Sequence, residues 1–378
     1  MRQRAIFLGV SIAVILTVVA LASGAATAAG KGAYRLMGLF GQVVQLVRTN
    51  YVEEVPIDKA ELGALSGLVE AADPGGCYVP EASAASFSRA RSRALPPFGL
   101  ALGKRASYPV VLEVVPDSPA AKAGVVAGEL VERVGGEPVR ARPLWLALVL
   151  LDEAEHRGAK VSLDVIDRQM SGKRLVELTP GPVPAPSVKV TVKGTVPLVT
   201  LAVVDPDSAK QLATALQTQT AASAVVADLR GVALGSAAGA AEVAATLAGG
   251  ELEIRLAGRD GKDQALRSHG PQRRWKLIVC LDGTTAGPGE LLAAALKNSG
   301  ATLVGGETYG DTGQREARSA AGGEVWLASS WGVGLDGKPL LGSGLKPDES
   351  VRGRKGADPI LDRALELAAG ATVEKKAA

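Results

Sequence analysis

The chain is poor in the residues on which several classes of functional site depend. Only two of its 378 residues are histidines, His156 and His269, and both stand among polar neighbours, which argues against a histidine-based triad or metal site. Aromatic residues make up 3% of the chain and apolar residues 47%, so a core of Ala, Val and Leu is expected. The net charge of +3 is too small to indicate a nucleic-acid partner. The sequence contains no metal-ligand cluster and no phosphate-binding loop, and we therefore expect no metal and no cofactor.

Cysteine is equally scarce. Cys77 and Cys280 lie far apart in the sequence, and they either pair in an oxidising compartment or remain free. We favour free thiols, because Cys280 belongs to an apolar run typical of a buried strand, where cysteine behaves as a small hydrophobe.

Residues 1–30 have the composition of a targeting segment. Arg2 and Arg4 precede an apolar run over residues 5–22, and a small-residue cleavage site follows at 26–28. The run is also long enough to span a membrane if it is not cleaved. We therefore predict export, to the periplasm or the extracytoplasmic face of the inner membrane, and leave open a cleaved signal peptide or an uncleaved anchor.

The most informative stretch runs from residue 278 to residue 313. Residues 278–281 are typical of a buried strand, which a glycine-rich turn ends. Glu290 then begins a helix whose apolar residues recur at helical spacing, and Gly300 suits its end. A second short strand leads into another glycine-rich turn. Loops of this kind, between strand ends and helix starts, often carry the functional residues of α/β folds.

This stretch resembles the nucleophile region of the tail-specific, C-terminal-processing serine peptidases. In that family a serine of a Gly-[Ser/Thr]-Ala-Ser-Ala-Ser-Glu segment attacks the peptide, and a lysine after the next strand is its general base. Residues 289–307, GELLAAALKNSGATLVGGE, match without gaps. On this register the nucleophile position holds Gly287. The base position holds Thr312, or Asp311 if Tyr309-Gly310 is aligned with the family's aromatic–glycine pair.

The resemblance therefore implies a peptidase-like fold whose catalytic dyad is missing. A hydroxyl nucleophile needs an adjacent base, and the sequence has no lysine between Lys297 and Lys338. Loss of the nucleophile alone costs roughly a millionfold in turnover in subtilisin. The alternative is an active enzyme in which Thr284 or Thr285 has taken over as the nucleophile, with Thr285 as the fallback position.

A second segment of the family also departs from its pattern. Residues 224–230, AVVADLR, resemble the strand that leads into the family's Asn-Pro-Gly-Gly turn, whose glycine amides contribute to the oxyanion site. Here Gly235 is the only residue of that turn to keep its place, so the resemblance assigns an oxyanion-like position to Gly235 alone.

Residues 96–180 resemble a PDZ domain. The run DSPAAKAG over residues 117–124, followed by Gly128-Glu129, is specific for such domains. In the place of the carboxylate-binding loop stand Phe98, Gly99, Leu100, Ala101 and Leu102. The resemblance implies that a peptide C-terminus adds a strand to a sheet edge while N–H groups of this loop bind its carboxylate. Alternatively, the chain's own segments fill the groove, or the domain serves only as a hinge.

Together these resemblances imply an α/β (α+β) fold, with a crotonase-like peptidase domain, an inserted PDZ domain and a helical N-terminal region. We divide the chain into a targeting segment at 1–30, a helical region at 31–95, a PDZ domain at 96–180, a peptidase-like domain at 187–353, and a C-terminal helix and tail at 354–378.

We interpret the chain as an exported, catalytically degenerate homologue that binds C-terminal tails, with an active serine- or threonine-type endopeptidase of exported proteins as the alternative. The partners implied are the C-terminal tails of exported proteins, a second copy of the chain or an active paralogue, and a membrane through the N-terminal segment.

Overall fold

The computed structural model describes residues 35, 37–54, 56–185, 187–219, 221–320, 322–334, 336–352 and 357–377. The predicted targeting segment, residues 1–30, lies outside these ranges. Within them, every helix is too short or too polar to cross a bilayer. The chain divides into two compact units, Met1–Ala64 and Leu65–Ala378.

The predicted helical region contains both helix and strand. Helix α1 covers residues 37–50 and exposes Leu39, Val43 and Val47. Helix α2 covers Ile57–Ala72 and lies within the region predicted to be helical. The region predicted to be helical also contains a strand, β1 (Cys77–Pro80), which precedes α3 (Glu81–Ser92). These four residues are buried or half-buried and pair with a distant strand, so tertiary contacts determine their conformation.

The PDZ domain is built on one antiparallel sheet in the order β2-β3-β4-β6-β7, with β5 beside β4. Its strands are β2 (Leu100–Arg105), β3 (Tyr108–Val114), β4 (Leu130–Val134), β5 (Glu137–Pro138), β6 (Val161–Ile166) and β7 (Lys173–Leu178). Its helices are α4 (Pro119–Lys122) and α5 (Leu144–His156). Apolar side chains of α5 pack against the sheet. Because β2 is the first strand in this order, it is an edge strand of the sheet, as β-augmentation requires.

The peptidase-like domain follows in chain order with ten strands and three helices among its described residues. They are β8 (Lys189–Lys193), β9 (Val196–Thr200), α6 (Pro206–Leu216), β10 (Ala224–Asp228), α7 (Ala237–Ala248), β11 (Gly250–Gly258), β12 (Gln264–Gly270), β13 (Lys276–Leu281), α8 (Pro288–Asn298), β14 (Thr302–Gly305), β15 (Gln314–Ala320), β16 (Gly323–Gly332) and β17 (Glu349–Ser350). The last helix, α9 (Pro359–Ala377), includes most of the segment predicted as a C-terminal helix and tail.

These strands form two sheets. The main sheet has the order β17-β14-β13-β10-β9-β8 and is parallel except for the β8–β9 pair. The second is antiparallel, in the order β1-β16-β11-β12, with β15 beside β16. Alternation along the parallel strands produces two cores: Val279 and Leu281 face α6, α7 and α8, while Ile278 and Cys280 face α9.

Both cysteines, Cys77 and Cys280, are buried and free. Cys280 lies in β13 with no exposed surface, in the environment that the sequence led us to expect.

Candidate functional site

Three loops leave the carboxyl ends of neighbouring parallel strands. They span residues 229–236 after β10, 282–287 after β13 and 306–313 after β14. Because β13 pairs in parallel with both β10 and β14, these loops meet at one edge of the sheet. This edge is where open α/β sheets bind their ligands.

The nucleophile position lies at the centre of this meeting point. Gly287 is the N-cap of α8 and has φ 50° and ψ −114°, a conformation that favours glycine. A Cβ atom built there would lie 3.5 Å from the carbonyl oxygen of Asp311 and 3.8 Å from that of Ala233. The structure thus brings the nucleophile, base and oxyanion positions together, and the first of them presents no side chain.

The base positions hold groups that are already engaged. Thr312 has no exposed surface, and its Oγ1 accepts a hydrogen bond from the Gly332 N–H at 3.2 Å. The Asp311 carboxylate lies 2.7 Å from Nη2 of Arg315. Arg315 also makes a two-pronged contact with the buried Asp73, at 2.7 and 2.9 Å. Neither base position offers an amine to accept a proton.

Glu290 joins the start of α8 to the third loop. Its buried carboxylate accepts hydrogen bonds from the Thr308 hydroxyl and from the N–H groups of Gly310, Asp311 and Gly287, the last three at 2.7, 2.9 and 3.0 Å. Burial raises the pKa of Glu290 to about 7, against these donors, which lower it. Glu290 therefore fixes the loop on which the base position lies.

The fallback nucleophile, Thr285, is also fully buried. Its hydroxyl donates to the carbonyl oxygen of Leu229 at 2.9 Å, and its own carbonyl accepts the Tyr309 N–H at 2.9 Å. Both of its polar groups thus tie neighbouring loops together, and no base contacts its hydroxyl among the described residues.

The backbone N–H groups that converge at the oxyanion-like position belong to other residues than Gly235, the one that the sequence indicates. Gly235 has φ 131°, and a Cβ there would lie 2.0 Å from the Val204 carbonyl oxygen, so a glycine is needed for close backbone approach. The N–H groups that converge in this loop are those of Ala233 and Leu234. Both donate to Oε2 of Glu113, at 2.7 and 2.9 Å. Sequence reasoning missed Glu113, although an acidic residue within the apolar run VVLEVV was a visible signal.

The predicted carboxylate-binding loop of the PDZ domain is likewise occupied from within the chain. The Phe98 N–H donates to Oε1 of Glu155 at 2.6 Å, and the Gly99 and Leu100 N–H groups donate to the carbonyls of Pro96 and Pro97. Phe98 and Gly99 both have positive φ, 55° and 73°. The remaining predicted residues, Ala101 and Leu102, continue along β2.

The edge of β2 is capped by the peptidase-like domain. The Tyr309 hydroxyl accepts the Lys104 N–H and donates to the Lys104 carbonyl, each at 2.6 Å. Burial raises the pKa of Tyr309 to about 12, so its proton is available for donation at neutral pH.

Two cavities connect these features. One, of about 340 Å³, is lined by β2, the start of α5 and Tyr309. The other, of about 370 Å³, is lined by Leu100, Ala101, Gly235 and Gly287. Both are bordered by Asp311 and Arg315, so the PDZ groove adjoins the family's catalytic positions. Across the described ranges, no group of three or more His, Cys, Asp or Glu side chains is placed to hold a metal ion.

Comparison with known proteins agrees with this arrangement. Residues 195–351 match the model of peptidase family S41, and residues 110–149 match that of the PDZ domain. Among similar curated proteins, carboxy-terminal processing protease CtpA of Bacillus subtilis (strain 168) is 23% identical over 80% of this chain and 66% of its own length. CtpB of the same organism is 24% identical over 86% of this chain and 68% of its own length.

A solved structure shares the fold. The photosystem II D1 C-terminal processing protease matches with a TM-score of 0.64 and 21% identity, over 81% of this chain and 86% of its own. The mixed sheets, the helices and the order of the two domains all correspond to the expected architecture. The chain thus carries a peptidase family S41 domain and a PDZ domain, and it is similar to proteins named carboxy-terminal processing proteases.

Proposed function

We propose that the chain is an exported, catalytically silent member of this family that binds the C-terminal tails of other exported proteins. The observation that carries the loss of catalysis is Gly287, which places no nucleophile at the start of α8. Thr312, buried and hydrogen-bonded to the backbone, supports it, because acyl transfer requires both a nucleophile and its base.

Tail binding is supported by the groove between β2 and α5. An edge strand offers unpaired backbone groups to an incoming peptide, and the contacts of Lys104 with Tyr309 occupy such groups. At the carboxylate-binding loop, the Phe98 N–H already donates to a carboxylate oxygen, that of Glu155. A tail carboxylate would take the place of Glu155, and the tail backbone would take the place of the Tyr309 hydroxyl.

Export is proposed from the composition of residues 1–30, which suits either a cleaved signal or an anchor at the extracytoplasmic face of the inner membrane. A silent tail binder would act by sequestering tails, or by presenting them to an active paralogue or to a second copy of the chain. These partners are part of the proposal.

The test pairs a binding assay with a cleavage assay on the purified chain. A fluorescent peptide with an apolar C-terminal residue is titrated by anisotropy, as the free acid and as the C-terminal amide. An unfolded protein ending in the same tail is incubated in parallel, with the parent chain and with Thr285→Ala. We expect binding of the acid, roughly tenfold weaker binding of the amide through loss of a charge-assisted hydrogen bond, and no cleavage.

Two results would overturn the proposal in different ways. Equal affinity for the acid and the amide, or no binding of either peptide, would refute the tail-binding function. Cleavage by the parent that Thr285→Ala abolishes would show an active enzyme with a relocated nucleophile. The double variant Gly287→Ser/Thr312→Lys serves as a control for the cleavage assay.

A further inference from the structure

One side chain of the PDZ domain reaches into the peptidase-like domain and accepts hydrogen bonds from two backbone N–H groups there. Glu113 lies in β3 and is 2% exposed. Its Oε2 accepts the N–H groups of Ala233 and Leu234 at 2.7 and 2.9 Å. Two N–H groups directed at one oxygen at such distances form the arrangement by which acyl-transfer enzymes hold a carbonyl oxygen or oxyanion.

A β-bulge gives Glu113 this direction. The register of β2 and β3 pairs Ala101 with Glu113 and Leu102 with Val111, which leaves Leu112 as the extra residue. In a regular strand Leu112 and Glu113 would point to opposite faces. Here Leu112 packs in a small apolar cluster with Ala286 of the peptidase-like domain, and Glu113 contacts the same domain. The bulge therefore directs two successive side chains toward the partner domain.

The second oxygen of Glu113 indicates how this carboxyl group is protonated. Oε1 is buried and has no hydrogen-bond partner among the described residues. Burial raises the pKa of Glu113 to about 8, against the two N–H donors, which lower it. A neutral carboxylic acid whose carbonyl oxygen accepts both N–H groups fits this environment, because an uncompensated buried charge is costly.

We propose that the loop Gly231–Gly235 is a receptor for a carboxyl group and that Glu113 of the PDZ domain is its occupant within the chain. A small carboxylic acid, neutral or ionised, then binds there when the Glu113 side chain is removed. The receptor consists of the Ala233 and Leu234 N–H groups, beside the cavity of about 370 Å³ that Gly287 also lines. Glu113 thereby docks the PDZ domain on the peptidase-like domain. Withdrawal of β3 would uncover the receptor for the carboxyl group of another molecule.

The proposal is tested by chemical rescue of the full chain. Glu113→Ala empties the receptor, whereas Glu113→Gln keeps an oxygen that both N–H groups can reach. Thermal unfolding is followed in sodium acetate and in sodium chloride of equal ionic strength. We expect Glu113→Ala to have a lowered Tm that acetate raises saturably and chloride does not, because acetate binds only the folded receptor. The parent and Glu113→Gln should show no acetate-specific shift.

Val131→Ala, a truncation in the buried PDZ core, is the matched control, and acetate should not raise its Tm beyond the effect of chloride. An unchanged Tm for Glu113→Ala, or no difference between the two salts with that variant, would overturn the proposal.

If Glu113→Ala does not fold, amide exchange in the parent decides the matter. Exchange of Ala233 and Leu234 should be slowed at least about tenfold relative to exposed loop amides, and free exchange would refute the docking contact. Neither measurement uses a tail or a cleavage assay, so the result is independent of the proposed function.

Discussion

The hydroxyl of Tyr309 satisfies both backbone groups of Lys104, accepting its N–H and donating to its carbonyl at 2.6 Å each. Lys104 belongs to β2, the edge strand of the PDZ sheet, and Tyr309 belongs to the loop that also carries Asp311. One side chain thus occupies the pair of groups with which one residue of an added strand would bond. Tail binding and the position of this loop are therefore coupled in the proposed function.

Replacing Tyr309 with Phe should strengthen tail binding. The change removes both hydrogen bonds to Lys104, so an incoming tail no longer competes with them. Two neutral hydrogen bonds contribute about 1–3 kcal/mol in total, and we expect affinity to rise roughly tenfold in the anisotropy titration. Tyr108→Phe is the control, since the Tyr108 ring packs beneath Arg140 at 4.8 Å and does not line the groove. Unchanged affinity for Tyr309→Phe would show that the hydroxyl does not block the edge.

A buried ion pair should be a major determinant of stability. The side chains of Asp73 and Arg315 are each only 6% exposed and make two contacts, at 2.7 and 2.9 Å. Burial alone would raise the pKa of Asp73, but the Arg315 guanidinium and the N–H groups of Ala328 and Gly75 hold it below its usual value. Asp73→Ala leaves a buried guanidinium with fewer partners, and we expect a loss of about 3–5 kcal/mol in the free energy of unfolding.

Urea unfolding measures this loss, with Glu177→Ala as the matched control. Glu177 pairs with Lys160 at 2.6 Å, but both side chains are about 60% exposed, so the control should lose under about 1 kcal/mol. The double variant Asp73→Ala/Arg315→Ala should lose less than the sum of the single changes. Equal losses for Asp73→Ala and Glu177→Ala would contradict the assignment.

The sequence predicted those secondary-structure elements best whose determining residues lie close together in the chain. The strand, turn and helix over residues 278–298 were predicted almost to their ends, because an apolar run and a helical repeat with glycine punctuation lie within a few residues of one another. Strand β1 was missed, since its pairing with β16 joins residues nearly 250 positions apart in the chain. The sequence predicted a tail after the last helix, whereas α9 continues to Ala377, because the charged end of this helix carries no apolar repeat.

At the site, the resemblance predicted which positions correspond to the family's catalytic residues, and only the structure shows what the groups there contact. Gly287, Thr312 and Asp311 could be placed by register alone. The contact of Glu113 with Ala233 and Leu234 depends on a bulge in β3 and on the docking of two domains, neither of which has a local sequence pattern. The Tyr309–Lys104 contact likewise joins residues 205 positions apart.

Stability should fall as the pH rises from about 4.5 to about 8. Burial raises the pKa of Glu290 to about 7 and that of Glu113 to about 8, from an ordinary value of 4.5. The folded chain thus holds these protons more tightly than the unfolded chain does. Their contribution is complete below about pH 4.5 and is lost as the pH rises through the folded pKa values. We expect the free energy of unfolding to be lower at pH 9 than at pH 6, by an amount on the order of a few kcal/mol.

Urea unfolding at several pH values checks this slope. Glu113→Gln removes one of the two titrating groups while keeping an acceptor oxygen, so its stability should depend less steeply on pH than that of the parent. An identical slope for parent and variant would show that Glu113 is charged in the folded chain throughout this range.

Replacing Gly235 with Ala should disturb the carboxyl receptor through the backbone. Gly235 has positive φ, and a new Cβ would lie 2.0 Å from the Val204 carbonyl oxygen, so the loop must move. Gly337→Ala is the matched control, because Gly337 also has positive φ, at 72°, but a Cβ there meets nothing within 4 Å. The control should lose about 1–2 kcal/mol from the left-handed conformation alone, and Gly235→Ala should lose clearly more.

Since displacement of the loop carries Leu234 away from Glu113, amide exchange at Leu234 should also accelerate in Gly235→Ala and not in Gly337→Ala. Equal destabilisation, with unchanged exchange at Leu234, would mean that Gly235 is required only for its backbone conformation and not for the approach of the loop to Val204.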